Sequence, residues 1–286
     1  MLQFPSALTA AAEPATRITP TTGTGCKAMV TVERRTHDTI LQHVHRANNP
    51  HEVGGALTFQ PQPGGGFRLV NLNRLTESGE GEFAVVHIQR GVVEFHTHPS
   101  TCNVSKNGQE LCTVPLPSAA DMVNVLMGYV DGVRVHLLYC DDGVYVIQLG
   151  PSLVAAAQSH TRWAEEPQLM CRFQALACQV HAQLTQCHKR YAKQTSGHMS
   201  NKQERALYAD HQQNWMRCAR DLGFLVHLVP PDELPSVQIE TPVVCGRPTE
   251  SFTPIVNIDR TRLSTGVTKC DPASTCAYLT DQLKSI

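Results

Sequence analysis

The 286 residues are enough for one sizeable core and a second, smaller unit, and a hydrophobic content of 41% fits a soluble globular protein. A formal charge of −1 and a pI near 6.9 supply no broad basic surface for neutralising phosphates, so the charge makes no case for a nucleic-acid partner. Eleven cysteines, an odd number without the spaced framework of a short secreted chain, are read as reduced thiols in a cytosolic or nuclear setting, with room for one or two disulfides.

Residues 1–27 are rich in Ala, Thr, Pro and Gly and read as a flexible arm. This arm has no charged leading region, and Pro5 and Ser6 break its apolar run, so no signal peptide is expected. No later apolar run reaches the length of a membrane span. Ala28 to Val32 reads as a first strand. Ile40, Leu41 and Val44 recur at helical spacing within Thr36 to Ala47, with Asn48-Asn49-Pro50 as a stop. Gly55 to Phe59 and Phe67 to Leu72 predict a hairpin around Pro61 to Gly66, and Glu82 to Ile88 and Val92 to Phe95 predict two more strands. The polar stretch Thr101 to Val114, with Lys106, Asn107 and Gly108, reads as a loop. A helix follows from Pro117-Ser118, carrying Met122, Val125 and Leu126, then strands at Val133 to Tyr139 and Val144 to Leu149 around an Asp142-Gly143 turn. The result is an α/β protein with a mixed sheet flanked by helices.

Character changes at Pro151. From Pro167, Leu169, Phe173, Leu176, Ala177, Val180 and Leu184 recur at threes and fours along a long amphipathic helix. A second helix, Asn201 to Leu222, aligns Leu207, His211, Trp215, Cys218 and Leu222 and stops at Gly223. The two predict an antiparallel hairpin that either packs on the sheet or offers a face to a protein partner. Cys171, Cys178, Cys187, His181 and His188 on its first helix are read as packed or solvated side chains. Phe224 to Val229 reads as a short strand, and Pro230 onward as an extended tail. Asp271-Pro272 would cap a last short helix with Leu279 and Leu283. The expected division is 1–27 arm, 28–155 sheet domain, 156–229 helical hairpin region and 230–286 tail.

The chemistry concentrates between Val93 and Met122. Alternate residues of a strand face one side, so His96 and His98 can point at one ion. Ser118 is the expected N-cap, which puts Asp121 in the first helical turn beside the electropositive helix end. Two imidazoles, one carboxylate and a fourth position left to water make the ligand set of a hydrolytic zinc site. Glu52, at the head of the glycine-bearing strand that follows it, is the candidate general base. Taken singly, two strand-end histidines and a helix capping box are more often structural than catalytic. The metal reading rests on their coincidence with Glu52. Cys102 and Cys112 in the polar loop are read as free thiols, with a clip between them or a second metal as alternatives.

Glu52-Val53-x-Gly55, His96-x-His98-Pro99 and Ser118-x-x-Asp121, in that order, resemble the JAMM (JAB/MPN-type) zinc metalloprotease family, over residues 28–155. One departure is a separation between His98 and Asp121 about a dozen residues longer than the family's, which makes Thr101 to Val114 an apparent insertion. The resemblance implies an MPN/JAB fold, cytidine-deaminase-like in its layers, with Zn2+ held by His96, His98 and Asp121. It implies Glu52 as base and Ser118 as donor to the oxyanion. The implied substrate is ubiquitin or a ubiquitin-like modifier conjugated to lysine, which would make the protein a deubiquitinase. A similar His-x-His-Pro-Ser start and Pro-Ser-x-x-Asp end occur in the RadC-type branch. A JAB-fold scaffold, a hydrolase of another small substrate and a RadC-like nucleic-acid role therefore stay open.

Overall fold

A computed structural model describes residues 27–45, 51–63, 66–72, 75–77, 91–98, 102–104, 110–112, 116–194 and 201–240, and the structural statements below concern these. Strand β1 (Lys27–Val32) enters helix α1 (Arg34–Val44), which buries Thr36, His37, Ile40, Leu41 and Val44 along one stripe. Strands β2 (Val53–Ala56), β3 (Thr58–Pro61), β4 (Phe67–Val70), β5 (Thr76–Glu77) and β6 (Val93–Thr97) follow. A small hairpin of β7 (Cys102–Val104) and β8 (Glu110–Cys112) precedes helix α2 (Ala119–Val130). Strands β9 (Val135–Cys140) and β10 (Gly143–Leu149) come next, then helix α3 (Pro151–Gln158) with a 3-10 turn at Ser159–Arg162. The long helices α4 (Pro167–Gln194) and α5 (Asn201–Asp221) lead to strands β11 (Phe224–Val229) and β12 (Ser236–Glu240).

Six strands form one mixed sheet in the order β11-β10-β9-β6-β2-β5. Only β6 and β9 are parallel in it. A parallel pair needs a crossover, and α2 supplies it. A second sheet runs β12-β1-β4-β3, with β1 and β4 parallel. Alternation along the strands of the larger sheet divides the interior into two cores. On one face Val93, Phe95, Leu137, Tyr139, Val144 and Val146 pack with α1 and the smaller sheet. On the other, Leu138, Cys140, Tyr145, Ile147 and Leu149 pack with α2, α3, α4, α5 and β11. Fully burying an aliphatic side chain is worth about 1.5–3 kcal/mol, so both faces contribute strongly.

The expected strand Gly55 to Phe59 is in fact two. It breaks at Leu57, whose N–H donates to the Val93 carbonyl at 2.9 Å, so that β2 pairs with β6 while β3 turns away to pair with β4. The polar stretch from Thr101 holds the β7–β8 hairpin, whose register sets Cys102 opposite Cys112. The start of the expected tail is also structured, because β12 adds to the edge of β1 with Val237 and Ile239 buried. β11 likewise extends the larger sheet beside β10. Helix α3 spans residues 155 and 156, and β11 and β12 lie on either side of the boundary at 229–230. The expected strand Glu82 to Ile88, the Asn48-Asn49-Pro50 stop, the arm to residue 26, and the tail from 241, with Leu279 and Leu283, lie outside the described residues.

The turn between β9 and β10 is closed by the pair Cys140 and Gly143, so Asp141 and Asp142 form its tip. Gly143 has φ +132°, and a Cβ there would meet the Val229 carbonyl oxygen at 2.1 Å, so no other residue fits. The helical hairpin turns its apolar stripe inward: Phe173, Ala177, Val180 and Leu184 of α4 and Trp215 and Ala219 of α5 are buried in the second core. Cys187 and Cys218 tie the two helices by a disulfide and Cys171 is disulfide-bonded as well, which corrects the reading of Cys171 and Cys187 as merely packed or solvated side chains and falls within the one or two disulfides the sequence left room for. Their sequence separation is 31, and closing a loop of that length is worth about 3–4 kcal/mol in the chain-entropy account. A Cys218→Ser variant should lose stability of that order in urea unfolding, and reduced wild type should lose at least as much, since Cys171 is disulfide-bonded as well. Equal unfolding midpoints with and without reductant would count against a formed disulfide. Among the described residues, no helix is long and apolar enough to cross a membrane.

Candidate metal centre

Register explains why three of the predicted residues share one place. In the antiparallel pair of β2 and β6, Gly54 stands opposite His96. Two residues further out, just past the ends of both strands, Glu52 and His98 come together. Gly54 has no side chain to cover His96. The buried Thr97 hydroxyl accepts the Val53 N–H at 2.9 Å, which locks the head of β2 to the end of β6. Beyond β6, the His98 N–H donates to the Tyr139 carbonyl at 2.8 Å, extending the β6–β9 ladder far enough to hold the second imidazole.

The fourth residue arrives on α2. Ser118 is its N-cap and completes a capping box: the Ser118 hydroxyl accepts the Asp121 N–H at 3.1 Å, and the Asp121 carboxylate accepts the Ser118 N–H at 2.6 Å. The structural reading of this motif thus holds beside the metal reading, because one carboxylate serves both. Its Oδ1 lies 3.4 Å from His96 Nε2 and its Oδ2 3.4 Å from His98 Nε2. The two Nε2 atoms are 3.1 Å apart. Donor atoms about 2.0–2.1 Å from a tetrahedral ion are about 3.3–3.4 Å from one another, so each separation is close to one edge of such a polyhedron, with the two histidines facing different oxygens of the one carboxylate. Glu52 Oε1 sits 3.7 Å from His98 Nε2, and ligand atoms of Glu52, His96 and His98 all lie within 4.8 Å of one another. A partly buried group that could hold a metal ion is therefore present, and Asp121 adjoins it.

Electrostatics separate the two carboxylates. Burial alone would raise the Asp121 carboxyl, yet His96 and His98 pull it well below the usual carboxylate range, leaving it an anion. Glu52 is 35% exposed at its side chain. Burial, with a smaller push from Asp121, lifts it above its ordinary value against the pull of His98 and His96. A permanently charged carboxylate suits a ligand, whereas one with raised basicity suits proton transfer. Burial lowers His96, keeping its imidazole neutral as ligation requires. His98 is raised, because Asp121, Glu52 and a backbone hydrogen bond with Leu116 outweigh its burial.

All five predicted site residues, Glu52, His96, His98, Ser118 and Asp121, thus fall at one junction between the ends of β2 and β6 and the start of α2. Two residues that sequence reasoning passed over stand directly behind them. His136 of β9 places Nε2 2.6 Å from His96 Nδ1, and Glu94 of β6 places Oε2 3.9 Å from His136 Nδ1. A histidine inside the otherwise apolar run Val135 to Tyr139 was the available signal. α4 also reaches the centre's edge: His188 Nε2 donates to the Pro117 carbonyl at 3.2 Å, and its Nδ1 accepts from His211 Nε2 at 3.3 Å. Burial keeps both of these imidazoles below their usual range and therefore neutral. No family model, curated protein or solved structure matches this chain.

Proposed function

We propose that this protein is a zinc-dependent isopeptidase of the JAMM (JAB/MPN) type that hydrolyses ubiquitin or ubiquitin-like conjugates at lysine. The observation that carries the proposal is the convergence of His96, His98 and Asp121 at 3.1 to 3.4 Å with Glu52 beside them, on elements that follow the motif's order. Two imidazole nitrogens and a carboxylate oxygen are a donor set that zinc favours and that magnesium or calcium does not. The α/β architecture, with its mixed sheet and flanking helices, is compatible with an MPN fold.

When bound, zinc would supply Lewis acidity, making a water molecule acidic near neutral pH and polarising the scissile carbonyl. His96, His98 and Asp121 would hold it. Glu52, raised in basicity and partly open to solvent, takes the proton from the attacking water and passes it to the departing lysine amine. The Ser118 hydroxyl spends one lone pair on the Asp121 N–H, which leaves its own hydrogen to donate to the developing oxyanion. Ser118→Ala should therefore cost about 1 kcal/mol of stability through the lost cap. It should also lower kcat by about 10²-fold through the lost donor. Loss of stability with kcat unchanged would confine Ser118 to capping.

The test is to offer zinc-loaded full-length protein a panel of isopeptide-linked ubiquitin and ubiquitin-like conjugates, with linear fusions as a control. Cleavage at the lysine linkage, stopped by a chelator and restored by zinc, is the expected result. Tightly bound zinc with every conjugate intact would overturn the substrate assignment while sparing the metal centre.

A further inference from the structure

The ring of His96 has two nitrogens, and the geometry assigns them different tasks. Nε2 faces His98 and Asp121, while Nδ1 is turned away, 2.6 Å from His136 Nε2. All three members of the row Glu94, His136 and His96 are buried, with exposures of 1%, 5% and 5%, so solvent does not supply another partner for Nδ1. The row follows from register. In the parallel pair β6–β9, Glu94 stands opposite His136, and His96 is two residues beyond Glu94 on the same face. The Glu94 carboxylate is itself fixed, accepting the Gly91 N–H at 3.2 Å with Oε1 while Oε2 faces His136.

If Nε2 offers its lone pair to a metal, the ring's proton sits on Nδ1 and must find an acceptor. His136 Nε2 is that acceptor, so His136 carries its own hydrogen on Nδ1, the side toward Glu94. At 3.9 Å the Glu94 oxygen is beyond hydrogen-bond distance, but an acceptor facing that side of the ring matches a hydrogen on Nδ1 better than the reverse tautomer. We infer that His136, oriented by Glu94, is a positioning residue that fixes the tautomer and ring angle of His96, and so sets the affinity of the centre for its metal. The inference rests on the metal-binding part of the proposed function and is independent of the substrate. Partners behind a ligating histidine typically control metal affinity by about 10–100-fold.

The experiment measures zinc affinity by competition with a chromophoric chelator, with no substrate present, for wild type, His136→Leu and His136→Gln. Leucine removes the acceptor, whereas the glutamine side-chain oxygen replaces Nε2. His136→Leu should bind zinc about 10–100-fold more weakly, and His136→Gln should recover most of that loss. Thermal unfolding of the zinc-free forms separates damage to the fold from damage to the centre. Should the leucine variant not fold, nitrogen-15 spectra of histidine-labelled wild type decide, with His96 predicted to be protonated at Nδ1 and His136 unprotonated at Nε2. Wild-type affinity in His136→Leu, equal weakness in the Gln and Leu variants, or a His96 Nδ1 without its proton would each overturn the inference. Absence of zinc binding by wild type itself would remove the metal centre, a failure distinguishable from all three.

Discussion

Glu52→Gln is expected to lower the rate of isopeptide hydrolysis by about 10²–10⁴-fold, the usual worth of a positioned general base, while leaving zinc bound. Glutamine preserves the size and an oxygen of the side chain but cannot take a proton. Two observations favour a base over a ligand at this position. Glu52 is more exposed than Asp121, and burial lifts its carboxyl while the histidines hold Asp121 down. Its ligand atom nevertheless groups with those of His96 and His98 within 4.8 Å. The variant decides between these roles. Activity lost with one zinc retained per chain assigns proton transfer, whereas activity and zinc lost together would make Glu52 a ligand.

Asp121→Ala should produce the largest change in metal affinity, a loss of more than about 100-fold, since an outer partner alone is worth 10–100-fold. It removes the carboxylate that pairs with both histidines and also dismantles the capping box of α2, costing a further 0.5–2 kcal/mol or so of stability. The pH dependence of the metal-free protein identifies the pairing. Asp121 is depressed in the folded state, so its contribution is present above its ordinary value of 3.8 and is lost as pH falls through its folded value. His98 is raised, so its contribution is present below its ordinary value of 6.5 and is lost as pH rises through its folded value. The stability gap between wild type and Asp121→Ala should therefore be widest between those two pH values and shrink on either side. Zinc affinity should move the opposite way across neutrality, rising with pH as His98 gives up its proton. A stability gap independent of pH would contradict the ion-pair geometry.

Much of the centre was legible because its parts are local. His96 and His98 share a face by strand alternation, and Ser118 and Asp121 share a helical turn by capping geometry, each within four residues. Glu52 was readable only by motif order, since the register that brings it beside His98 is a property of strand pairing. The same limit hid His136, which meets His96 across 40 positions of sequence. Two helices with inward stripes were visible in α4 and α5, but the Cys187–Cys218 bridge depends on how those helices align, which spacing does not specify. The break at Leu57 was obscured because no turn residue interrupts Ala56 to Phe59, and only the two competing partners, β6 and β4, divide the expected strand Gly55 to Phe59. β12 carried a weak alternation, Val237 and Ile239, within a Pro-rich stretch, and became a strand because the edge of β1 was available.

The central claim is that His96, His98 and Asp121 form a zinc centre, and elemental analysis of purified wild type beside a His96→Ala/His98→Ala variant tests it most directly. About one zinc per chain in wild type and none in the variant is the result the geometry predicts. Wild type that takes up no zinc after incubation with the ion, while remaining folded, would contradict it.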